Sequence, residues 1–257
     1  MRSEESVSEL TDIRSGPCCA FTIIMKRYLV LPIRLALVVL FTALLVGGGI
    51  TMERSAEMAD RKHAKQVVGV PLRDGDIVFQ HSGSMQCAAV AQATHSPYTH
   101  CGVVFIESGT PVVWEAVGPV MRTPYADWVE HGVDGHVVVK RLKRIELLTP
   151  GVVAAMKAAG ERDMGKPYDI YFAPDTDRIY CSELVQRIYR SGAGIRIGEE
   201  QRFGDMDFSG AEASRMLKDR FGERFPADQP VVTPASLFRS ALLVTVDSVG
   251  SAPTIMR

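Results

Sequence analysis

No two cysteines of this sequence stand in a C-x-x-C pair, and their total, five, is odd. A disulfide framework is therefore not expected, and a zinc site has no cysteine pair to rest on. Cys18 and Cys19 precede an apolar run, whereas Cys87, Cys101 and Cys181 follow it. The simplest account is one reactive thiol plus structural ones. A Cys87–Cys101 bridge stays open for an oxidising compartment. Long blocks of basic residues are also missing, and the formal net charge is −1. That excludes the electrostatic footprint of a nucleic-acid binder. No internal repeat is visible in the 257 residues.

What is present begins with "LALVVLFTALLVGGGITM", Leu35 to Met52, an uncharged run of 18 residues. It is just long enough to span a bilayer. Lys26, Arg27 and Arg34 precede it, which makes the N-terminal side cytoplasmic. The same pattern fits a secretory signal with small residues at Gly47 to Gly49. No clean A-x-A site follows, although Ser55-Ala56 and Ala59 are candidates. No cysteine closely follows the run, so a lipoprotein anchor is not expected. A buried core helix is disfavoured by the flanking charges. The expected organisation is a cytoplasmic segment 1–34 (residues 1–24 being a start-site extension if Met25 is the start), a signal or membrane anchor 35–52, a polar linker 53–70 and a catalytic domain 71–257. The domain is then expected on the periplasmic or outer side of the cell envelope, anchored to the membrane through the apolar run or secreted.

Beyond the linker, "DGDIVFQ" reads as turn and strand, "SMQCAAVAQAT" as a small-residue helix, and "HCGVVFIESGTPVVWEAV" as two strands around Ser108-Gly109. "TPYADWVEHG" and "TPGVVAAMKAAGERDMG" each open a helix with threonine as cap and proline at the first position. "HVVVKRL" is a strand. A helix begins near Cys181 and ends at Gly192, a short one falls near Ala211 to Lys218, "TPASLFRS" adds a last turn, and "ALLVTV" closes as a strand. The fold class is α+β, an antiparallel sheet with helices packed on it and preceded by the N-terminal apolar segment.

In "DRIYCSELVQRIYRSG", Leu184, Val185, Ile188 and Tyr189 fall at helical spacing, and Cys181 shares their stripe. Cys181 is also at the first helical turn, where unpaired N–H groups and the helix dipole favour an anion. A thiolate there has a lowered pKa and is the reactive form. The competing reading is a small buried hydrophobe. A cysteine nucleophile needs a base, and the base an orienting partner. Of six histidines, His63 lies in the linker, His131 ends a helix, His136 starts a strand, and His81 and His95 flank the small-residue helix. His100 stands at the mouth of the hairpin. If Ser108-Gly109 is a two-residue loop, Glu107 pairs with Thr110 and Glu115 sits opposite Gly102, which shares a face with His100. Glu115 is then a diagonal neighbour of His100, about 7–8 Å away between Cα atoms. A three-residue loop would put Glu115 on the other face, where it would be an ordinary strand glutamate.

"GKPYD" followed by "YCSELVQRIY" resembles the cysteine motif of NlpC-type papain-fold cell-wall peptidases. In those the cysteine precedes the histidine; here "SPYTHCGVVF" comes first. The reversed order resembles the circularly permuted branch, the YaeF/YiiX-type permuted papain-like amidases, over Leu72 to Val246. Tyr180 and Glu183 depart from the general NlpC motif, which has Asp and Gly there. The resemblance implies a circularly permuted papain-like fold, a cysteine amidase or peptidase, and Cys181, His100 and Glu115 as its catalytic residues. Tyr168 and Tyr98 are candidates for an oxyanion or substrate contact, or are simply buried tyrosines. No metal or organic cofactor is required. The substrate is expected to be a peptide, acyl amide or lipid, with cell-wall peptides as one class. Lipid deacylation or acyl transfer is the second reading, because the permuted fold also resembles the lecithin:retinol acyltransferase group. A membrane-anchored, non-catalytic binding module is the third.

Overall fold

In a strand, successive side chains point to opposite faces, and in this sheet both faces find apolar partners. The computed structural model describes residues 69–83, 85–174 and 177–250, which belong to the compact unit Ala59–Arg257. Six strands make the main sheet: β1 (Ile77–Ser82), β2 (His100–Glu107), β3 (Thr110–Ala116), β4 (Val120–Pro124), β5 (Gly132–Leu142) and β8 (Leu243–Val249). Their order is β4-β3-β2-β1-β5-β8, with every neighbouring pair antiparallel. Two short strands, β6 (Gln201–Arg202) and β7 (Pro230–Val231), pair separately.

The helices are α1 (Met85–Thr94), α2 (Tyr125–Glu130), α3 (Pro150–Glu161), α4 (Cys181–Ala193), α5 (Ala211–Phe221) and α6 (Pro234–Phe238). Phe79, Cys101, Val103, Phe105 and Trp114 face α3 and α4 and pack with Met156, Leu184, Ile188 and Tyr189. The alternate positions Val78, Val104, Val113 and Val139 pack with Tyr125 and Trp128 of α2 on the opposite face. The expected α+β architecture is thus what forms. A buried bidentate pair ties the residue just before β1 to β5: Arg141 donates to both carboxylate oxygens of Asp76 at 2.7 Å.

Two local expectations are corrected. Thr123 does not cap a helix. It lies in β4, and α2 begins after Pro124 with no side-chain cap. Its hydroxyl instead donates to buried Glu115 at 2.5 Å, and a buried carboxylate needs donors more than a surface helix end does. Thr149 and Thr233 do cap α3 and α6. Gly192 does not end α4. The left-handed cap is Gly194, at φ 68°. Gly192 lies inside the helix because α3 passes so close: a Cβ there would stand 2.3 Å from Met156 Cα.

The membrane partnership is also corrected. Among the described residues no helix is long and apolar enough to cross a membrane. The run Leu35 to Met52, residues 1–34 and the linker up to residue 68 lie outside the described residues.

The close approach of α3 and α4 gives a test. Helix propensity alone would make Gly192→Ala stabilising by about 1 kcal/mol. The Met156 backbone overrides it, and the substitution should destabilise by about 1–3 kcal/mol. Urea unfolding monitored by circular dichroism measures the sign.

Candidate active site

The hairpin that carries His100 and Glu115 closes through Ser108 at φ 48° and Gly109 at φ 82°. Both are positive, the signature of the two-residue turn that matches strand twist. Glu107 pairs with Thr110 and Val103 with Trp114. That register brings Glu115 alongside Gly102. A Cβ at Gly102 would stand 2.4 Å from Val113 Cγ1 and 2.9 Å from the Trp114 carbonyl oxygen, so only glycine fits between the strands.

Glu115 is 1% exposed and His100 7%. His100 Nε2 meets Glu115 Oε2 at 2.6 Å. Trp128 Nε1 donates to the same oxygen at 2.9 Å, and Thr123 to the other. His100 also stacks against the Trp128 ring. Burial disfavours the charge on Glu115, yet His100, Thr123 and Trp128 together hold its pKa below the ordinary carboxylate value. The sequence points to neither as a partner of Glu115: Thr123 reads there only as a helix cap, and Trp128 has no assigned role. For Trp128 a signal existed, because a buried indole N–H needs an acceptor and Glu115 was the charged residue looking for donors.

Cys181 is the first residue of α4. Because α4 packs on the sheet face opposite Glu115 and α2, its thiol comes to His100 around the end of β2, not from across the hairpin. Glu115 occupies Nε2, which leaves Nδ1 for the sulfur. The Cys181 pKa lies well below the ordinary thiol value. A hydrogen bond with the Cys101 thiol is the foremost cause; burial opposes it, and the bond and charge of His100 add to the lowering. Burial acts against the His100 charge too, but Cys181 and Glu115 push its pKa up to about 10. Burial and the neighbouring Cys181 drive the Cys101 thiol well upward, so Cys101 stays protonated and donates. The favoured state is a thiolate–imidazolium pair. Cys101 was read only as a structural or bridging residue; Cys87 and Cys101 are both thiols here.

The two candidate tyrosines separate. Tyr168 is tied to the segment before Cys181 by a parallel bridge with Ile179, and its hydroxyl lies 4.0 Å from Cys181 Sγ. Asp169 fixes the turn after it, accepting from the N–H groups of Tyr171 and Ala173. Burial and the Cys181 charge raise the Tyr168 pKa well above its ordinary value, so the phenol keeps its proton. Tyr98 is engaged elsewhere, stacked on Phe238 at 4.0 Å between centroids and on His136.

A narrow pocket adjoins Cys181, lined by Val90, Phe172, Phe203, Met206, Met216 and Val231 among others, and apart from the Cys181 sulfur itself no charged side chain stands in its wall. Such an arrangement can deliver a thiolate to a carbonyl carbon, a proton to a leaving group and N–H and O–H donors to an oxyanion.

The family model for permuted papain-like amidase enzymes, YaeF/YiiX, C92 family, matches residues 71–247. The chain belongs to this family. It is a cysteine-nucleophile hydrolase of the amidase type, and membership fits an extracytoplasmic enzyme. YiiX of Escherichia coli K12 is 40% identical over 172 residues, covering 67% of this chain and 84% of that protein. A crystal structure of YiiX from Escherichia coli O157:H7 superposes with a TM-score of 0.65 at 39% identity, covering 68% of this chain and 96% of that one. That protein is described as a metalloprotein. Among the described residues here, no group of three or more His, Cys, Asp or Glu side chains stands ready to hold a metal ion.

The coupled charges make a pH prediction. In wild type, alkylation of Cys181 by iodoacetamide should titrate well below the ordinary thiol range. His100→Ala should move the midpoint upward, and Glu115→Gln should move it less. The raised His100 pKa contributes stability that is fully present below its unfolded value of about 6.5 and is lost as pH rises through about 10. The lowered Glu115 pKa contributes stability that is present above the ordinary carboxylate value and lost as pH falls through the folded value. Identical titration midpoints in the three proteins would uncouple Cys181 from the hairpin.

Proposed function

We propose that Cys181 is the nucleophile, His100 the general base and acid, and Glu115 its orienting carboxylate, and that the substrate is an amide or ester with an apolar acyl group. The thiolate attacks the carbonyl carbon while the imidazolium stands by. The oxyanion is held by the Cys181 N–H, one of the first-turn donors that a helix leaves without an internal partner, and by the Tyr168 hydroxyl. Collapse breaks the C–N or C–O bond, and His100 gives its proton to the departing amine or alcohol. His100 then takes a proton from water, which attacks the thioester and releases the acid. Glu115 accepts from the imidazole throughout and does not itself transfer a proton.

The observation that carries the substrate class is the uncharged wall beside Cys181. Cell-wall peptides bear carboxylates and amines that this wall cannot pair, and an unpaired charge there would be costly. The free volume inside the pocket is about 30 Å³, too little for an alkyl chain at rest. Met206 and Met216 line it, and methionine side chains rearrange readily around a guest. We further read 71–257 as the catalytic domain, joined through linker 53–70 to an apolar segment, Leu35 to Met52, that acts as an export signal to the extracytoplasmic side.

Cys181→Ala should abolish both hydrolysis of 4-nitrophenyl octanoate and labelling by a cysteine-directed acylating probe. Cys87→Ala should leave both intact, and Cys101→Ala should keep labelling with a raised thiol pKa. Each buried methylene is worth about 0.8 kcal/mol, so kcat/KM should rise about tenfold or more from the butyrate to the octanoate ester. Faster cleavage of a charged cell-wall tripeptide than of any acyl probe would overturn the substrate class. Full labelling after loss of Cys181 would overturn the nucleophile.

A further inference from the structure

Two side chains from separate parts of the chain form a line that ends on the Tyr168 hydroxyl. Gln86, on α1, donates to it from Nε2 at 3.1 Å. Arg220, on α5, donates from Nη2 to Gln86 Oε1 at 2.7 Å. Arg220 is itself held by the Ile170 carbonyl, which accepts from Nη1 at 2.7 Å, and lies over the Phe172 ring. The hydroxyl at the end of this line lies 4.0 Å from Cys181 Sγ.

The chemistry of the three groups gives the line a direction. A guanidinium has donors only, so the amide atom that faces Arg220 must be the oxygen. The amide is thereby locked with its NH₂ toward Tyr168. A phenol oxygen that accepts from that NH₂ has one proton of its own, which must point elsewhere, and the sulfur side of the site is where it can go. Reversing the amide would set its NH₂ against the guanidinium and leave those facing N–H groups without an acceptor. The scaffold under the line is also bonded. Gln92 Oε1 accepts from the N–H groups of Glu212 and Ala213 at 3.0 and 3.1 Å, so α1 caps the first turn of α5. At Gly210 a Cβ would stand 2.4 Å from that oxygen, which shows how closely the two helices are fitted.

We infer that Gln86 and Arg220 are positioning residues for the reaction: they aim the Tyr168 O–H at the oxyanion that forms beside Cys181. The inference rests on the assignment of Tyr168 as an oxyanion donor made above. Neither residue touches the reacting atoms. Both act through Tyr168, and Arg220 acts through Gln86. Arg220 lies on α5, so that helix takes part in tuning the site.

The test is a double-mutant cycle on the purified full-length protein with 4-nitrophenyl octanoate, reading kcat and KM separately. Gln86→Glu is the informative change. It keeps the shape and strengthens the Arg220 pairing, but it replaces a donor with an acceptor and draws the phenol proton away from the site. Tyr168→Phe should lower kcat about 10²-fold, as expected for loss of one oxyanion donor. Gln86→Glu should lower kcat about tenfold or more, with KM and thermal midpoint near wild type. Arg220→Met should lower kcat by a smaller factor, and Arg220→Lys should recover part of the loss. In the Tyr168→Phe background, Gln86→Glu should change kcat by no more than about twofold, because the group it acts through is gone. A wild-type kcat in Gln86→Glu would overturn the inference, as would an equal loss in both backgrounds. An unchanged kcat in Tyr168→Phe alongside an inactive Cys181→Ala would overturn it while leaving the cysteine mechanism standing. Full activity in Cys181→Ala would remove that mechanism and the inference together.

Discussion

A carboxylate that is almost wholly removed from water must be matched by donors, or it will not stay charged. Glu115 is matched three times, by His100, Trp128 and Thr123, each from a different element. Much of the architecture near the site follows from that requirement. The register of the hairpin, the absence of a side chain at Gly102, the approach of α2 and the placement of Thr123 in β4 all serve to deliver a donor to one side chain. The charge then passes outward: Glu115 supports the imidazolium, and the imidazolium supports the thiolate.

The second requirement is on the other side of the sheet. A thiolate at the first residue of α4 is favoured by the helix end, by the imidazolium and by the Cys101 thiol beneath it. These act from three directions. Cys101 and His100 are adjacent in β2, so strand alternation sends one to the α4 face and the other to the α2 face. The sulfur reaches both because it sits where the strand ends. That geometry lets two consecutive residues, His100 and Cys101, both act on one sulfur.

How much of this was legible in the sequence depends on how local the determining interaction is. The hairpin was legible because Ser-Gly between two β-rich runs specifies a turn, and the turn specifies the register. The helix stripe of α4 was legible because its period repeats within four residues. Thr149 as a cap was legible for the same reason. Thr123 has the same Thr-Pro signature and went the other way, because Glu115, on the neighbouring strand β3, competed for its hydroxyl, and the Thr-Pro pair carries no signal of that pairing. Gly192 looked like a helix stop and is a packing contact, since nothing in the local sequence announces that α3 passes at that point. Gln86, Cys101 and Arg220 act through partners far along the chain, and composition alone does not pick them out. Of the two candidate tyrosines, the structure brings only Tyr168 to the sulfur.

The reversed order of histidine and cysteine has a consequence for how the site comes into being. The hairpin with His100 and Glu115 is a local structure closed by two residues, and it can form as soon as that stretch of chain is available. The thiol arrives later, on a helix that must first find α3, and its surroundings need the still later α5, α6 and β7. Chains grow from the N-terminus, and domains fold as units. A newly made chain therefore holds the His100–Glu115 pair early and gains the Cys181 thiol late, and the coupled imidazole and thiol meet only once the rest of the sheet and its helices have closed around them.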